Sequence, residues 1–448
     1  MHSTESLLAT TGTLMNKIAF RLTLVGILLV AAACQNGAQF PALSVDVSRT
    51  LPSRLIDNSD APEDGRVTRY ETWDIPQYVD PNPNVATLRW YFRRHLDDPR
   101  GFGKYSAKAA ATPSAFKRDV RSNAFLTRQM SETGLVSYLF YDNGVIVHDE
   151  KSPPNRLGDM ITDDTPLTSN SIGKSMTSYL LGHAICTGVI DGLDARIDDW
   201  PLFRNTVYNN QRLIDLVNMR AGDAHVVSDS KGLLKSGRWY NVHTMGSFAR
   251  EELNGTSPKG REGSRPYHYN GLATNIILNY ILFKAGDDFD ELMDSLFAEK
   301  AGVENDVFFM SIRGGSSADA NARYSFYASR YDYLRIARAM LGDWSNDTCV
   351  GRYLKEIAAR SKRKNDRHHD PYDKFDSALG YGGFFHTDYP GMVGRNVFGL
   401  DGYGGQYVMI DFDNARIVVV NSVTIDYNWY QLVHQAIANG RLPTPEDT

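Results

Sequence analysis

The chain has 448 residues, with 48 basic and 53 acidic side chains, a formal net charge of -5, and 42% hydrophobic residues. That balance excludes a disordered chain, and its mild acidity argues against a general nucleic-acid binder, which carries a basic face. Three cysteines, Cys34, Cys186 and Cys349, are too few for a disulfide framework, and no two have metal-ligand spacing.

The first apolar run, IAFRLTLVGILLVAAA, spans Ile18 to Ala33 and ends against Cys34. Lys17 and Arg21 supply a positive n-region, Leu22 to Val30 an apolar h-region, and Ala31 to Ala33 the small residues a signal peptidase needs, so residues 1–33 read as a signal peptide. The uncharged stretch makes about 18 Å of helix at 1.5 Å per residue, short for a bilayer. The small triplet before Cys34 resembles a bacterial lipobox, with Ala31 where leucine is usual. The expectation is an exported protein lipidated at Cys34, periplasmic or attached to the outer membrane; a plain signal peptide with an incidental cysteine is the alternative. Met15 is a better start than Met1, because residues 1–14 lack signal-peptide character. Residues 34–65 are polar and punctuated by proline, as in a tether.

A helix is expected near Val85–His95, followed by a Gly/Ala/Lys-rich loop at 101–115. Leu135–Tyr141 and Val145–Asp149 flank Asp142-Asn143-Gly144, and Asn-Gly between apolar runs predicts a β-hairpin. Between Ser171 and Thr187, apolar residues at steps of three and four predict a helix, with Asn170 as N-cap and Gly188 as stop. Further helices are expected at Leu213–Met219, Thr274–Phe283, Tyr331–Leu341 and Trp429–Ala438, and strands at Gly405–Asp411 and Arg416–Val423. Strands at both ends of the region with helices between them predict an α/β (α+β) fold. Its antiparallel sheet is built from N- and C-terminal segments with flanking helices, and a mainly helical lobe is inserted at about 190–375 of a single 66–448 domain.

Ser-x-x-Lys occurs four times, at Ser114, Ser171, Ser228 and Ser361, so the motif alone carries little. Only Ser171–Lys174 opens an apolar helix, where residues three apart share a face about 5–6 Å apart and the amine can approach the hydroxyl. Unpaired N–H groups at that helix end favour developing oxyanion charge. The competing reading makes Ser171 a cap and Lys174 a solvated helix residue. Gly173-Lys174-Ser175 is no P-loop, because Thr168 stands where the first glycine belongs. His368-His369-Asp370 reads as a solvated loop.

Several segments together resemble the class C β-lactamase-related serine hydrolases, a group that includes esterases, D-amino-acid peptidases and 6-aminohexanoate-dimer hydrolases. After Ser171-Ile172-Gly173-Lys174 come Gly188-Val189-Ile190-Asp191, the run from Asp215 to Gly222, Tyr267-His268-Tyr269-Asn270-Gly271, Tyr327-Ala328-Ser329-Arg330-Tyr331-Asp332, and Gly402-Tyr403-Gly404-Gly405-Gln406. They follow the family's order over about residues 130–440.

The resemblance implies Ser171 as acylated nucleophile, Lys174 as its proton partner and Tyr269 as second acid or base, with Tyr267 the competing tyrosine. It implies an oxyanion hole from the Ser171 N–H and one near Tyr403, in a glycine-rich segment of Gly402, Gly404 and Gly405 that binds substrate. It calls for no metal or organic cofactor. The departures are Leu400, where the third motif usually carries Lys or His, and Gly271, where Asn is frequent. These losses argue against efficient β-lactam hydrolysis and, with Gly404-Gly405-Gln406, favour a small ester or amide substrate. The alternatives are a D,D-peptidase or β-lactamase, and a catalytically silent envelope protein of the same fold.

Overall fold

The computed structural model describes residues 45–46, 66–67, 85–93, 102–228, 233–239, 243–312, 317–364 and 378–444. The expected signal peptide, Cys34, most of the tether, Lys231 and His368-His369-Asp370 lie outside them.

In chain order the body begins with helix α1 (Val85–Tyr91), strand β1 (Gly103–Ala107), strand β2 (Lys117–Arg118) and helix α2 (Ala124–Glu132). The hairpin follows as β3 (Leu135–Asp142) and β4 (Val145–Lys151). Asn143 and Gly144 turn it with φ of 46° and 96°, the positive pair that a type I′ turn requires. A short strand β5 (Leu167–Thr168) runs into helix α3 (Ile172–Cys186). Helices α4 (Leu213–Val217), α5 (Met245–Glu251), α6 (Gly271–Ala285) and α7 (Phe289–Asp294) follow, then strands β6 (Val307–Ser311) and β7 (Ala322–Ala328). After α8 (Arg330–Ser345) and α9 (Cys349–Ala359) come β8 (Lys362–Arg363), β9 (Gly380–Gly382), β10 (Phe385–Thr387), β11 (Val397–Gly402), β12 (Gln406–Asp411) and β13 (Arg416–Ser422). The C-terminal helical segment runs through Tyr430–Gln435 into α10 (Ala436–Asn439).

The main sheet has the order β8-β9-β10-β11-β12-β13-β3-β4-β2, antiparallel except where β2 runs alongside β4. Its centre joins the two ends of the domain, with Tyr138 opposite Val420 and Leu139 opposite Val419. Every residue of β3 from Leu135 to Tyr141 is buried, because both faces of the sheet are covered. Leu139 and Tyr141 pack into a core shared with α3, α6 and α8, while Tyr138 and Phe140 pack into a second core with α2 and the C-terminal helix. Period-two alternation thus feeds two cores rather than one core and solvent.

One expectation needs correction: the 101–115 loop contains β1. The mainly helical middle of the chain also contributes two strands, β6 and β7, which join β1 and β5 in a second, four-stranded sheet of order β1-β6-β7-β5. Its short strands pair across long sequence separations, which local patterning does not record. The cysteines also do more than expected. Cys186, the last residue of α3, is bridged to Cys349, the first of α9, 163 positions further along the chain, with Cα atoms 5.8 Å apart. Spacing alone could not pair residues that only the packing of α9 on α3 brings together.

Candidate active site

Helix α3 is buried around nearly its whole circumference, with twelve buried residues among its fifteen, so its N-terminus is held from several sides. Gly173 permits the tightest of these approaches: a Cβ there would sit 1.8 Å from the Tyr324 carbonyl oxygen. Ser169 fixes the entry to the helix, its N–H donating to the Phe326 carbonyl (2.7 Å) and its Oγ accepting from the Phe326 N–H (2.9 Å).

Asn170 is not the N-cap. It takes a left-handed φ of 46°, tolerable for asparagine, and its amide donates to the Tyr403 carbonyl at 2.7 Å. Ser171 occupies the cap position and makes no capping hydrogen bond with its side chain. Its Oγ instead accepts from Lys174 Nζ at 2.8 Å. The lysine is 1% exposed, with Nζ 4.1 Å from the ring centre of Tyr324 and 4.7 Å from that of Tyr269. Among the described residues the other Ser-x-x-Lys runs have no comparable setting; Ser114–Lys117 and Ser361–Lys364 lead into edge strands.

Tyr269 reaches the same point from another side: its ring centre lies 4.7 Å from Lys174 Nζ, and the Ser171 side chain is among the groups that act on its phenol. Burial pushes its phenol well above the ordinary value, Tyr381, Asp401 and Tyr324 push the same way, and the Ser171 bond pulls against them. The residue is placed by its neighbour Asn270, which caps α6 by accepting from the Ala273 N–H (2.9 Å) and donates to Asp223 (3.2 Å). Tyr267 stands behind Tyr269, with ring centres 6.5 Å apart, and packs on Tyr381 at 5.2 Å. Tyr269 is therefore the tyrosine that meets Ser171 and Lys174.

The run from Asp215 to Gly222 acts as a bracket. Asn218 accepts from the Gly383 N–H (2.9 Å) and donates to the Arg360 carbonyl (3.1 Å), while the Met219 carbonyl accepts from the His268 N–H (2.8 Å). Ser175, one residue beyond Lys174, donates to the Phe384 carbonyl at 2.6 Å. One segment thus ties the tyrosine loop, the β9–β10 turn and α9 together beside the serine helix.

Tyr403, Gly404 and Gly405 form the turn between β11 and β12, closed by the Gly402↔Gln406 pair. Gly404 and Gly405 have φ of 88° and 86°, so the turn itself requires them. Gly402 is needed for close packing, since a Cβ there would lie 2.3 Å from the Ser169 carbonyl. Among the described residues β10 pairs with β11 only at His386↔Gly399, which leaves the Leu400–Gly402 edge beside Ser171 without a strand partner on that side. Among the same residues no group of three His, Cys, Asp or Glu side chains is placed to hold a metal ion.

A beta-lactamase family model matches residues 126–428, more than half of the chain. The chain belongs to the beta-lactamase family. Among solved structures, one named a 6-aminohexanoate-dimer hydrolase, from Bacillus anthracis, shares 16% identity and a TM-score of 0.56, covering 83% of this chain and 96% of its own. An octameric penicillin-binding protein homologue from Pyrococcus abyssi also shares 16% identity, with a TM-score of 0.49 over 71% of this chain and 77% of its own. No curated protein matches the sequence. The first of these structures establishes the likeness of fold.

The family frame shows what the sequence motifs missed. Leu400, at the third-motif position expected to carry a cation, is fully buried in the core. Beside it Asp401 turns to His386, whose Nε2 lies 3.0 Å from Asp401 Oδ1. The His386 ring centre is 6.5 Å from that of Tyr269 and 5.0 Å from that of Tyr381. Tyr324, on β7, completes the wall over Lys174. His386 and Tyr324 lie in no motif with fixed spacing; only the strand register brings His386 beside the β11 edge.

Proposed function

We propose that this beta-lactamase family protein is an exported serine hydrolase that cleaves an ester or amide bond of a small substrate through an acyl-enzyme on Ser171. The observation that carries the reading is the convergence of three side chains: Ser171 Oγ accepts from Lys174 Nζ at 2.8 Å, and the Tyr269 ring centre lies 4.7 Å from the same Nζ. Acyl transfer needs a nucleophile, a group to take its proton, donors for the oxyanion and an acid for the leaving group.

In this reading Lys174, in its neutral form, accepts the Ser171 proton as Oγ bonds to the carbonyl carbon. The negative oxygen is held by the backbone N–H groups of Ser171 and Tyr403, the latter kept in register by the Asn170 amide on its carbonyl. The leaving group departs with the Tyr269 proton, and Lys174 returns its own proton to the phenolate. Net, the serine O–H and the substrate acyl bond become an acyl-serine and a protonated leaving group. Water then reverses the sequence and frees the acid. Tyr269, held above its ordinary range by burial, is better suited to give a proton than to begin as a tyrosinate.

Export and lipidation at Cys34 complete the proposal, in a periplasmic or outer-membrane setting. The Cys186–Cys349 bridge supports export, since structural disulfides persist in oxidising compartments. A β-lactamase or D,D-peptidase activity is the second reading, favoured by the family itself. Labelling with a fluorophosphonate and with a fluorescent penicillin, in wild type and Ser171→Ala, tests both. Ser171-dependent fluorophosphonate labelling without penicillin labelling is expected. Penicillin labelling moves the substrate class to β-lactams and cell-wall peptides. Failure of both probes favours a silent binding protein.

A further inference from the structure

We propose that Asp223 is a positioning residue for Tyr269: its two carboxylate oxygens hold the side chains on either side of that tyrosine and so fix its ring beside Lys174. The proposal rests on the acyl-enzyme reading for its chemistry, while the cradle around Asp223 stands on hydrogen bonds alone.

Asp223 is 1% exposed, and a carboxylate taken that far from water is costly unless hydrogen bonds replace its hydration. Three side chains do so. Oδ1 faces His268 Nδ1 at 3.3 Å, while Oδ2 accepts from the Asn270 amide at 3.2 Å and from the Tyr208 hydroxyl at 2.7 Å. Tyr208 is fully buried in the core that α3 and α6 share, so the carboxylate is anchored to the body of the protein. The two remaining partners, His268 and Asn270, are the residues directly before and after Tyr269, and both are buried.

The backbone explains why this matters. Asn270 is extended, with φ of -156° and ψ of 158°, and along an extended chain successive side chains point to opposite sides. His268 and Asn270 turn to Asp223, so Tyr269 turns the other way, where its ring centre lies 4.7 Å from Lys174 Nζ. The same two neighbours are held at further points. The His268 N–H donates to the Met219 carbonyl at 2.8 Å, His268 Nε2 lies 3.3 Å from the Ser228 carbonyl, and the Asn270 side-chain oxygen accepts from the Ala273 N–H at 2.9 Å. Ser228, which opens another of the Ser-x-x-Lys runs, thus contributes a backbone oxygen to the cradle. One contact of this kind could serve the fold alone. One carboxylate gripping both neighbours of the proton-giving group sets where that group stands, and a displacement of about 1 Å at such a point is worth about 10²-fold in rate.

The test uses the full chain and measures kcat/KM, which reports acylation, on two esters of one acid: an alkyl ester, and a p-nitrophenyl ester whose leaving group needs no proton. Asp223→Asn is expected to lower kcat/KM on the alkyl ester by about 10–10²-fold and on the p-nitrophenyl ester by under about threefold. In a Tyr269→Phe background the same substitution is expected to cost under about twofold on the alkyl ester, because the group it positions is already gone. Equal loss on the two esters, or the full loss repeated in the Tyr269→Phe background, marks a merely structural role and overturns the proposal. His268→Phe and His268→Gln carry the same test with the carboxylate in place, should Asp223→Asn not fold. Phe is expected to show the selective loss, and Gln, which keeps a donor towards Asp223, to recover most of it; equal values for the two overturn the proposal. A spectroscopic arm follows tyrosines labelled with ¹³C at Cζ by NMR, with the Tyr269 signal assigned by its loss in Tyr269→Phe. That signal is expected to move in Asp223→Asn and in His268→Phe, and an unmoved signal in a folded variant overturns the proposal. If wild type turns over neither ester and Ser171 takes no label, the acyl-enzyme reading fails, and the NMR arm still decides whether Asp223 places Tyr269.

Discussion

Ser171 sits at a helix cap and caps nothing, which is what frees its hydroxyl for Lys174 and Tyr269. Removing each partner should therefore have a separate signature. Lys174→Met, which keeps the length of the chain without its amine, is expected to lower kcat/KM by about 10²–10⁴-fold, the usual worth of a positioned acid or base. Fluorophosphonate labelling rates of the two proteins check this. Tyr269→Phe should cost more on substrates with poor leaving groups than on activated esters, and Tyr267→Phe should cost less than about threefold on either. Comparable losses at the two tyrosines would shift the assignment.

At the scale of the element, the start of α8 shows how a buried charge is made tolerable. Arg330, 2% exposed, donates to Asp149 on β4 at 2.6 Å, and Asp149 also accepts from Tyr331 and pairs with Arg118. Burial raises the Asp149 carboxyl, but Arg330, Tyr331 and Arg118 together hold it below its ordinary value. Because the folded value is depressed, this contribution to stability is present above the unfolded carboxylate's range and is lost as pH falls through the folded one. Acid unfolding monitored by circular dichroism should show it. Arg330→Ala, which leaves the carboxylate to Arg118 and Tyr331 alone, is expected to cost about 2–3 kcal/mol in denaturant unfolding. The same scale explains what could be read in advance. Asn143-Gly144 and the apolar steps of α3 are local signals, and both elements form where the spacing predicts. The second sheet was hidden because β5 and β1 are two- and five-residue strands whose partners lie far along the chain. His386 was hidden for a related reason: its meaning comes from the register opposite Gly399, and a lone histidine carries no such signal.

For the whole molecule, the Cys186–Cys349 bridge joins the far end of the serine helix to α9, closing a loop of 163 residues. By loop-closure entropy such a link is worth on the order of 3–5 kcal/mol. The double variant Cys186→Ser/Cys349→Ser is expected to unfold at clearly lower denaturant concentration while keeping its labelling by fluorophosphonate, since neither cysteine touches Ser171, Lys174 or Tyr269. Loss of labelling with unchanged folding would show that the bridge also shapes the site. That bridge was not legible either, for the same physical reason as the sheet: three-dimensional neighbours need not be neighbours in sequence.

The central sheet carries a further consequence for how the protein comes into being. Ser137 on β3 bonds to Asn421 on β13, 284 residues away, and the turn that carries Tyr403 lies on the same late-arriving sheet. A ribosome emitting about 5–20 residues per second would leave β3, with its mostly apolar side chains, waiting roughly 15–60 seconds for its partner. Until then the chain holds a naked strand edge and a β11–β12 turn without its sheet. Fragments cut short of β13 should be inert and sticky rather than weakly active, so the fold closes only when the last of its described strands slots in beside one of the earliest.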